Sequence, residues 1–82
     1  MSGLPALTRF TSKGPADLVA VRRWLAGDDT IVLTDADRLL AAHAGQALGL
    51  SRNDLCRRLN MPHNRVRDLQ GEPCPVPVDE LL

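Results

Sequence analysis

The chain has 82 residues, of which 44% are hydrophobic and 24% charged, and its formal net charge is zero. This length suits one small domain, and the composition excludes a disordered chain. No apolar run reaches the ~20 residues of a membrane span and no secretory signal is visible, so we expect a cytoplasmic protein. One Phe and one Trp stand among many Leu, Ala and Val residues. This mixture predicts an all-α fold, a small bundle of four to five helices.

The first two predicted segments are an irregular N-terminal arm over residues 1–15 and a helix over residues 16–26. Gly and Pro interrupt the arm, although residues 7–11 are compatible with a short extended piece, and Pro15 suits the first position of a helix. The apolar residues of the helix recur at three- and four-residue steps and exceed what one face of a bundle needs. We therefore predict that they form a dimer contact or pack beneath it: Leu18, Val21, Trp24 and Leu25. The alternative dimer contact is the segment 76–82.

Two further helices are marked by their N-caps. Thr34 precedes a helix predicted over residues 35–48, with aspartates in its first turn where the helix dipole favours anions. This helix is expected to bury Leu39, Leu40, Ala44, Ala47 and Leu48. Ser51 precedes a helix predicted to reach Leu59, and Asp54 takes the place of the usual Glu of a capping box.

The segment 51–71 is basic, whereas the segment 72–82 is acidic and rich in proline. Five arginines against two aspartates give residues 51–71 a charge of +3, and three carboxylates give residues 72–82 a charge of −3. After a break at residues 60–62, where Asn60 suits a left-handed turn, a last helix is predicted to run to Gln70. The acidic tail allows at most a short turn of helix at residues 78–82, and it is placed to dock on a partner or to cover the basic face.

The two helices around this break have the pattern of a helix-turn-helix at residues 51–70, within a helical DNA-binding domain over residues 16–71. Their inner side is apolar: Leu55, Cys56, Leu59, Met61, Val66 and Leu69. The outer side of the second helix carries His63, Asn64, Arg67 and Asp68. In such a motif the first helix braces against the DNA backbone and the second enters the major groove.

The stretch "GLSRNDLCRRLNMPHNRVRDLQGE" resembles the helix-turn-helix of the Xre/Cro, lambda-repressor-like transcription regulators. The resemblance covers about residues 34–71, and the matching positions are Gly49, Leu50, Ser51, Leu55, Cys56, Leu59, Val66, Leu69 and Gly71. Asn60 replaces the family's Gly, Cys56 its Ala, and Pro62 its Ser or Thr, and the family's later helices are missing. Small plasmid- or phage-borne repressors of the Kor type are similar in size and plan.

The resemblance implies a homodimer that binds an inverted-repeat DNA operator and represses transcription in a bacterial cytoplasm, associated with the nucleoid or a plasmid. The same scaffold also serves activators, and a protein co-regulator is a further candidate partner. The expected base-reading residues are His63, Asn64, Arg67 and Asp68, since Arg pairs with guanine and Asn with adenine. The expected phosphate contacts are Ser51, Arg52, Asn53, Arg57 and Arg65. A simpler interpretation gives these residues no contact with DNA. In it, Arg57 and Arg58 belong to a solvated helix face, and Arg65 pairs with Asp68.

Two other functions compete with this one. The stretch from Thr30 to Leu59 also resembles ribbon-helix-helix regulators, in which a strand at residues 30–34 would pair with its dimer mate and enter the groove. That strand is mostly Ile, Val and Leu, which do not read bases well. The other candidate is a protein-binding module, such as an antitoxin or phage inhibitor, whose basic helix would dock on an acidic partner.

Catalysis and cofactors are not expected. The chain has no spacing typical of a nucleophilic triad or a phosphate-binding loop. A zinc site would need Cys56, Cys74, His43 and His63, which lack the close ligand spacing of structural zinc, so no metal is predicted.

Overall fold

The computed structural model describes residues 8–82, in which four helices pack around one core and a β-hairpin precedes them. The strands are β1 (Thr8–Thr11) and β2 (Gly14–Asp17), and the helices are α1 (Leu18–Leu25), α2 (Asp35–Ala47), α3 (Arg52–Leu59) and α4 (His63–Gly71). A single 3-10 turn, Val78–Glu80, follows in the tail and agrees with the short turn of helix predicted there.

The all-α prediction is wrong, because the described chain has mixed α and β content. β1 and β2 pair antiparallel, with Phe10 opposite Pro15 and Thr11 opposite Gly14. Gly14 has a φ of 108°, and its carbonyl accepts a hydrogen bond from the Thr11 hydroxyl, which closes the turn. Pro15 is therefore a strand residue and does not begin a helix. It is tolerated because a two-stranded sheet consists only of edge strands.

Residues 8–15 of the arm that is expected to be irregular thus belong to the hairpin. Residues 1–7 of the arm lie outside the described residues. The short extended piece expected near residues 7–11 is present from Thr8 to Thr11. α1 begins two residues later than predicted, because the Asp17 side chain is its N-cap and accepts from the Val19 and Ala20 amides.

The other helix starts are as predicted. Thr34 and Asp37 form a capping box at α2, and Ser51 and Asp54 form another at α3. The prediction of burial fails at the end of α2, where Ala47 and Leu48 are exposed and Leu48 keeps 54% of its surface.

α2 is the central helix, and its small side chains let its neighbours come close. Ala41, Ala42 and Ala44 are fully buried. A Cβ atom at Gly45 would lie 2.6 Å from Cδ2 of Leu55, so a larger residue where α2 meets α3 would require the Leu55 side chain to shift. The core closes over the residues for which a dimer contact is predicted: Leu18, Val21 and Trp24 are buried and Leu25 is partly buried. Their burial accounts for their apolar character within one chain, and their place in or beneath a dimer contact stays a prediction.

The acidic tail packs against the bundle and is fastened to the hairpin. Val76 and Leu81 are buried in the core. Glu80 Oε1 lies 2.9 Å from Arg9 Nη2, and the Glu80 carbonyl accepts from Arg22 Nε at 3.1 Å. Within the described residues, no helix is both long enough and apolar enough to cross a membrane.

Candidate nucleic-acid interface

The turn between α3 and α4 has the left-handed backbone predicted for it. Asn60 has φ 55° and ψ 51°, and it is the only non-glycine residue with positive φ in the described chain. Its amide donates to the Arg57 carbonyl, and the Met61 amide donates to the Cys56 carbonyl at 3.0 Å. Met61 is buried, so the turn itself belongs to the core, and this fixes α4 relative to α3.

α4 has one buried face and one exposed face. Val66 and Leu69 are buried. The four predicted base-reading residues are all exposed: His63, Asn64, Arg67 and Asp68. Positions 63, 64, 67 and 68 follow one side of a helix. The structure therefore brings these four residues together on one solvent-facing stripe.

The N-terminus of α4 is open. Pro62 is its N-cap and has no side-chain capping bond. The Arg65 and Val66 amides donate to the Pro62 carbonyl, whereas the amides of His63 and Asn64 have no partner among residues 8–82. Free amides and the helix dipole give this end of α4 a partial positive charge.

The predicted phosphate-contacting residues differ in how they are held. Ser51 and Arg57 both contact Asp54, with Arg57 Nη2 at 2.7 Å from its carboxylate. Arg52 Nε donates to Gln70 Oε1 at 3.2 Å and so joins the start of α3 to the end of α4. Asn53 and Arg65 are exposed, and neither has a hydrogen bond or an ion pair to a side chain within residues 8–82.

Asp54 is held in its charged form by these contacts. The hydrogen bond from the Ser51 side chain is the largest cause of a lowered pKa at Asp54, followed by the hydrogen bond from Arg57 and that from the Ser51 amide. The carboxylate therefore both caps α3 and orients Arg57 on its outer surface.

The simpler interpretations of Arg58 and Arg65 do not hold, whereas the Arg57 side chain is 80% exposed. Arg58 is not merely solvated, because its Nη2 donates to the Trp24 carbonyl at 2.7 Å and its guanidinium lies 4.3 Å from the centre of the Trp24 ring. Arg65 does not pair with Asp68. Asp68 instead lies 4.0 Å from Arg67 Nε, and these two side chains remain 68% and 65% exposed. Arg58 thus ties α3 to the end of α1, a role for which the sequence carries no local signal.

Two of the three carboxylates of the tail pair with residues of the hairpin. Glu72 pairs with Lys13 at 3.5 Å, and Glu80 pairs with Arg9. Throughout residues 8–82, no carboxylate of the tail pairs with an arginine of α3 or α4. The idea that the tail covers the basic face is therefore not supported by the arrangement of its carboxylates.

A groove of about 600 Å³ lies beside this motif and was not anticipated from the sequence. It runs between the end of α1, the loop before α2 and the end of α3. Its apolar lining is Trp24, Leu25, Ile31, Val32, Leu33 and Leu59, and its charged lining is Asp28, Asp29, Arg38 and Arg58.

Within residues 8–82, the side chains that a zinc site would need are not assembled into one. Among the described residues there is no group of three or more His, Cys, Asp or Glu side chains placed to hold a metal ion. Cys56 and Cys74 are free thiols that pack against the core. His43 Nε2 is buried with no hydrogen-bond partner within residues 8–82.

The resemblance to lambda-repressor-like regulators rests on the sequence of about residues 34–71 and stays a prediction. No protein-family model, curated protein or solved structure matches this chain.

Proposed function

We propose that the protein is a sequence-specific DNA-binding repressor that acts as a homodimer on an inverted-repeat operator. The observation that carries the proposal is α4. This helix is fixed to the core by Val66 and Leu69 and presents an exposed polar stripe at residues 63–68. A short helix held in this way after a tight turn has the shape that enters a major groove.

The stripe has suitable chemistry for reading base pairs. Arg67 can bind O6 and N7 of guanine, and Asn64 can bind N6 and N7 of adenine, each with two hydrogen bonds. Asp68 either accepts from N4 of cytosine or orients Arg67, from which it is 4.0 Å away. His63 lies at the open N-terminus of α4, where it meets a phosphate or the first base.

Electrostatics supply the rest of the affinity. Arg52, Arg57 and Arg65 are exposed around α3 and α4, and residues 51–71 carry a charge of +3. Each arginine that neutralises a phosphate releases counterions from the DNA. The free amides at the start of α4 add a further anion-binding position.

Selection from a random pool of duplex DNA, followed by sequencing, tests the proposal. We expect an enriched inverted repeat. Arg67→Ala should weaken binding by roughly 1–3 kcal/mol and relax one position of each half-site. Arg23→Ala is the matched control, since it removes one positive charge from α1, where Arg23 pairs with Asp28. It should leave the selected motif unchanged.

Two outcomes would contradict the proposal. If nothing is enriched above background, the basic helix is better explained as a protein-docking surface. If a motif is enriched but is the same with Arg67→Ala, the bases are read elsewhere, as the ribbon-helix-helix alternative requires of residues 30–34.

A further inference from the structure

We propose that the groove beside Trp24 binds a small apolar molecule that carries a carboxylate. The end of α1, the loop before α2, Arg38 of α2 and the end of α3 line this groove. Its apolar residues hold the body of the ligand, and Arg38 binds the carboxylate. The site is separate from the exposed stripe on α4, and it does not depend on DNA binding.

The size of the groove suits a small molecule. Its volume of about 600 Å³ lies within the range of roughly 300–1,000 Å³ that is usual for small-molecule sites. Its lining comes from three segments that are separate in the sequence, so a ligand is contacted from several sides. A concave site of this size fits a small ligand better than it fits the flat surface of another protein.

Apolar side chains from each of the three segments line the groove. Trp24 and Leu25 come from α1, Ile31 and Leu33 come from the loop, and Leu59 comes from α3. Trp24, Leu33 and Leu59 are also core residues, so the packing of the bundle holds this part of the lining in place. An aromatic or branched aliphatic body that covers these side chains removes apolar surface from water, which favours binding.

The two arginines of the lining have no strong acidic partner. Arg38 has only a 3.8 Å contact with Asp35, whose side chain is 71% exposed, so this ion pair is weak. Arg58 is held against Trp24 and has no carboxylate partner within residues 8–82. Both guanidinium groups therefore keep positive charge at the groove.

The two aspartates of the lining do not balance this charge. Asp28 pairs at 3.3 Å with Arg23, which is not part of the lining, and accepts from the Thr30 amide at 3.0 Å. Asp29 is exposed and has no side-chain partner within residues 8–82. Arg38 and Arg58 together thus exceed Asp29, and the groove attracts a carboxylate more strongly than an amine.

The loop before α2 adds hydrogen-bond donors. Ile31, Val32 and Leu33 all line the groove, and their amides have no hydrogen-bond partner within residues 8–82. A carboxylate accepts hydrogen bonds from a guanidinium group and from backbone amides, and such charge-assisted bonds are strong. Arg38 and these amides together form a donor set that suits a carboxylate.

An NMR titration of the isotope-labelled full chain, without DNA, tests the site with three probes of nearly equal size. Phenylpropionate carries a carboxylate, phenylpropanamide is neutral and phenylpropylamine carries an ammonium group. We expect phenylpropionate to cause saturable shifts of the Trp24 indole signal and of the amide signals of residues 25–33. Its dissociation constant should be at least about tenfold lower than that of either other probe, because only the carboxylate forms charge-assisted bonds.

Variants of Arg38 test the role of its charge. Arg38→Gln should raise the dissociation constant of phenylpropionate at least about tenfold and change that of phenylpropanamide little. Arg65→Gln is the matched control, because Arg65 is exposed and lies outside the groove, and it should leave both constants unchanged. Arg38→Glu should reverse the preference, so that phenylpropylamine binds more tightly than phenylpropionate. Circular dichroism should show that all three variants are folded.

Several results would overturn the proposal. These are shifts confined to residues outside the groove, equal affinities for the three probes, equal effects of Arg38→Gln and Arg65→Gln, and no shift with any probe up to its solubility limit. Because no DNA is present, none of these results bears on the proposed operator. Failure to select an operator would likewise leave the carboxylate site intact.

Discussion

At the scale of single residues, Asp37 joins three parts of the molecule. It is 3% exposed, and its carboxylate accepts from the Asp17 amide at 2.7 Å and from the Thr34 amide at 3.0 Å. The first amide lies where β2 passes into α1, and the second lies at the start of α2. A buried carboxylate is tolerated here because both of its oxygens are hydrogen-bonded.

Asp37→Ala should lower the free energy of unfolding by about 2–3 kcal/mol, because two charge-assisted hydrogen bonds are lost and two amides are left without partners. Urea denaturation followed by Trp24 fluorescence measures this change. Asp35→Ala is the control, since Asp35 lies in the same helical turn but is exposed and has only a 3.8 Å ion pair. A loss of stability as small as that of the control would contradict the role given to Asp37.

At the scale of elements, the start of α3 is sensitive to pH. The hydrogen bond from the Ser51 side chain, and after it that from Arg57, hold the pKa of Asp54 below its usual 3.8. A lowered pKa in the folded state means that Asp54 stabilises the protein above the unfolded pKa. This contribution is lost as the pH falls through the folded pKa.

The Asp54→Asn variant tests this dependence. The wild-type protein should be the more stable of the two by a constant margin between about pH 5 and pH 7, and the margin should shrink below about pH 4. Urea midpoints measured across this pH range give the margin directly. Curves that stay parallel down to about pH 3 would mean that the charge of Asp54 does not stabilise α3.

The elements also show what a sequence can predict. The starts of α2 and α3 and the turn at Asn60 were predicted because their signals are local: a cap and its partner lie three residues apart. The β-hairpin is not predicted because each of its strands has only four residues. In addition, Lys13 at its turn pairs with Glu72 of the tail, which is far away in the sequence. Contacts between distant residues leave no pattern in one sequence.

The same limit applies to the candidate site. The exposed stripe on α4 follows from helical periodicity and was predicted in full. The contact of Arg58 with Trp24 joins residues 34 positions apart, and the groove beside it is formed by three separate segments. Neither has a local signal, so both required the structure.

At the scale of the whole molecule, the net charge of zero does not describe how charge is distributed. Residues 51–71 carry a charge of +3 and residues 72–82 a charge of −3. Glu80 and Glu72 of the tail lie against Arg9 and Lys13 of the hairpin, while Arg52, Arg57, Arg65 and Arg67 of α3 and α4 are exposed. The field near the basic face is therefore positive even though the total is zero, and such fields set the strength and the salt dependence of nucleic-acid binding.

Arg65→Ala should reduce the slope of log affinity against log salt concentration by about 1, because one phosphate contact is lost. Fluorescence anisotropy with the selected duplex measures the slope. Arg23→Ala, which removes the same charge from α1, should leave it unchanged. Equal slopes for all three proteins would show that Arg65 does not contact the DNA backbone.

On α4, the residues that hold the helix and the residues that face solvent do not overlap. Val66 and Leu69 make the packing, while positions 63, 64, 67 and 68 take no part in the core. Under the proposed function, a duplicated gene acquires a new operator preference through changes at four codons that do not affect folding. Selection on folding therefore acts on the buried residues of α4, and selection on the DNA sequence that is bound acts on its exposed residues.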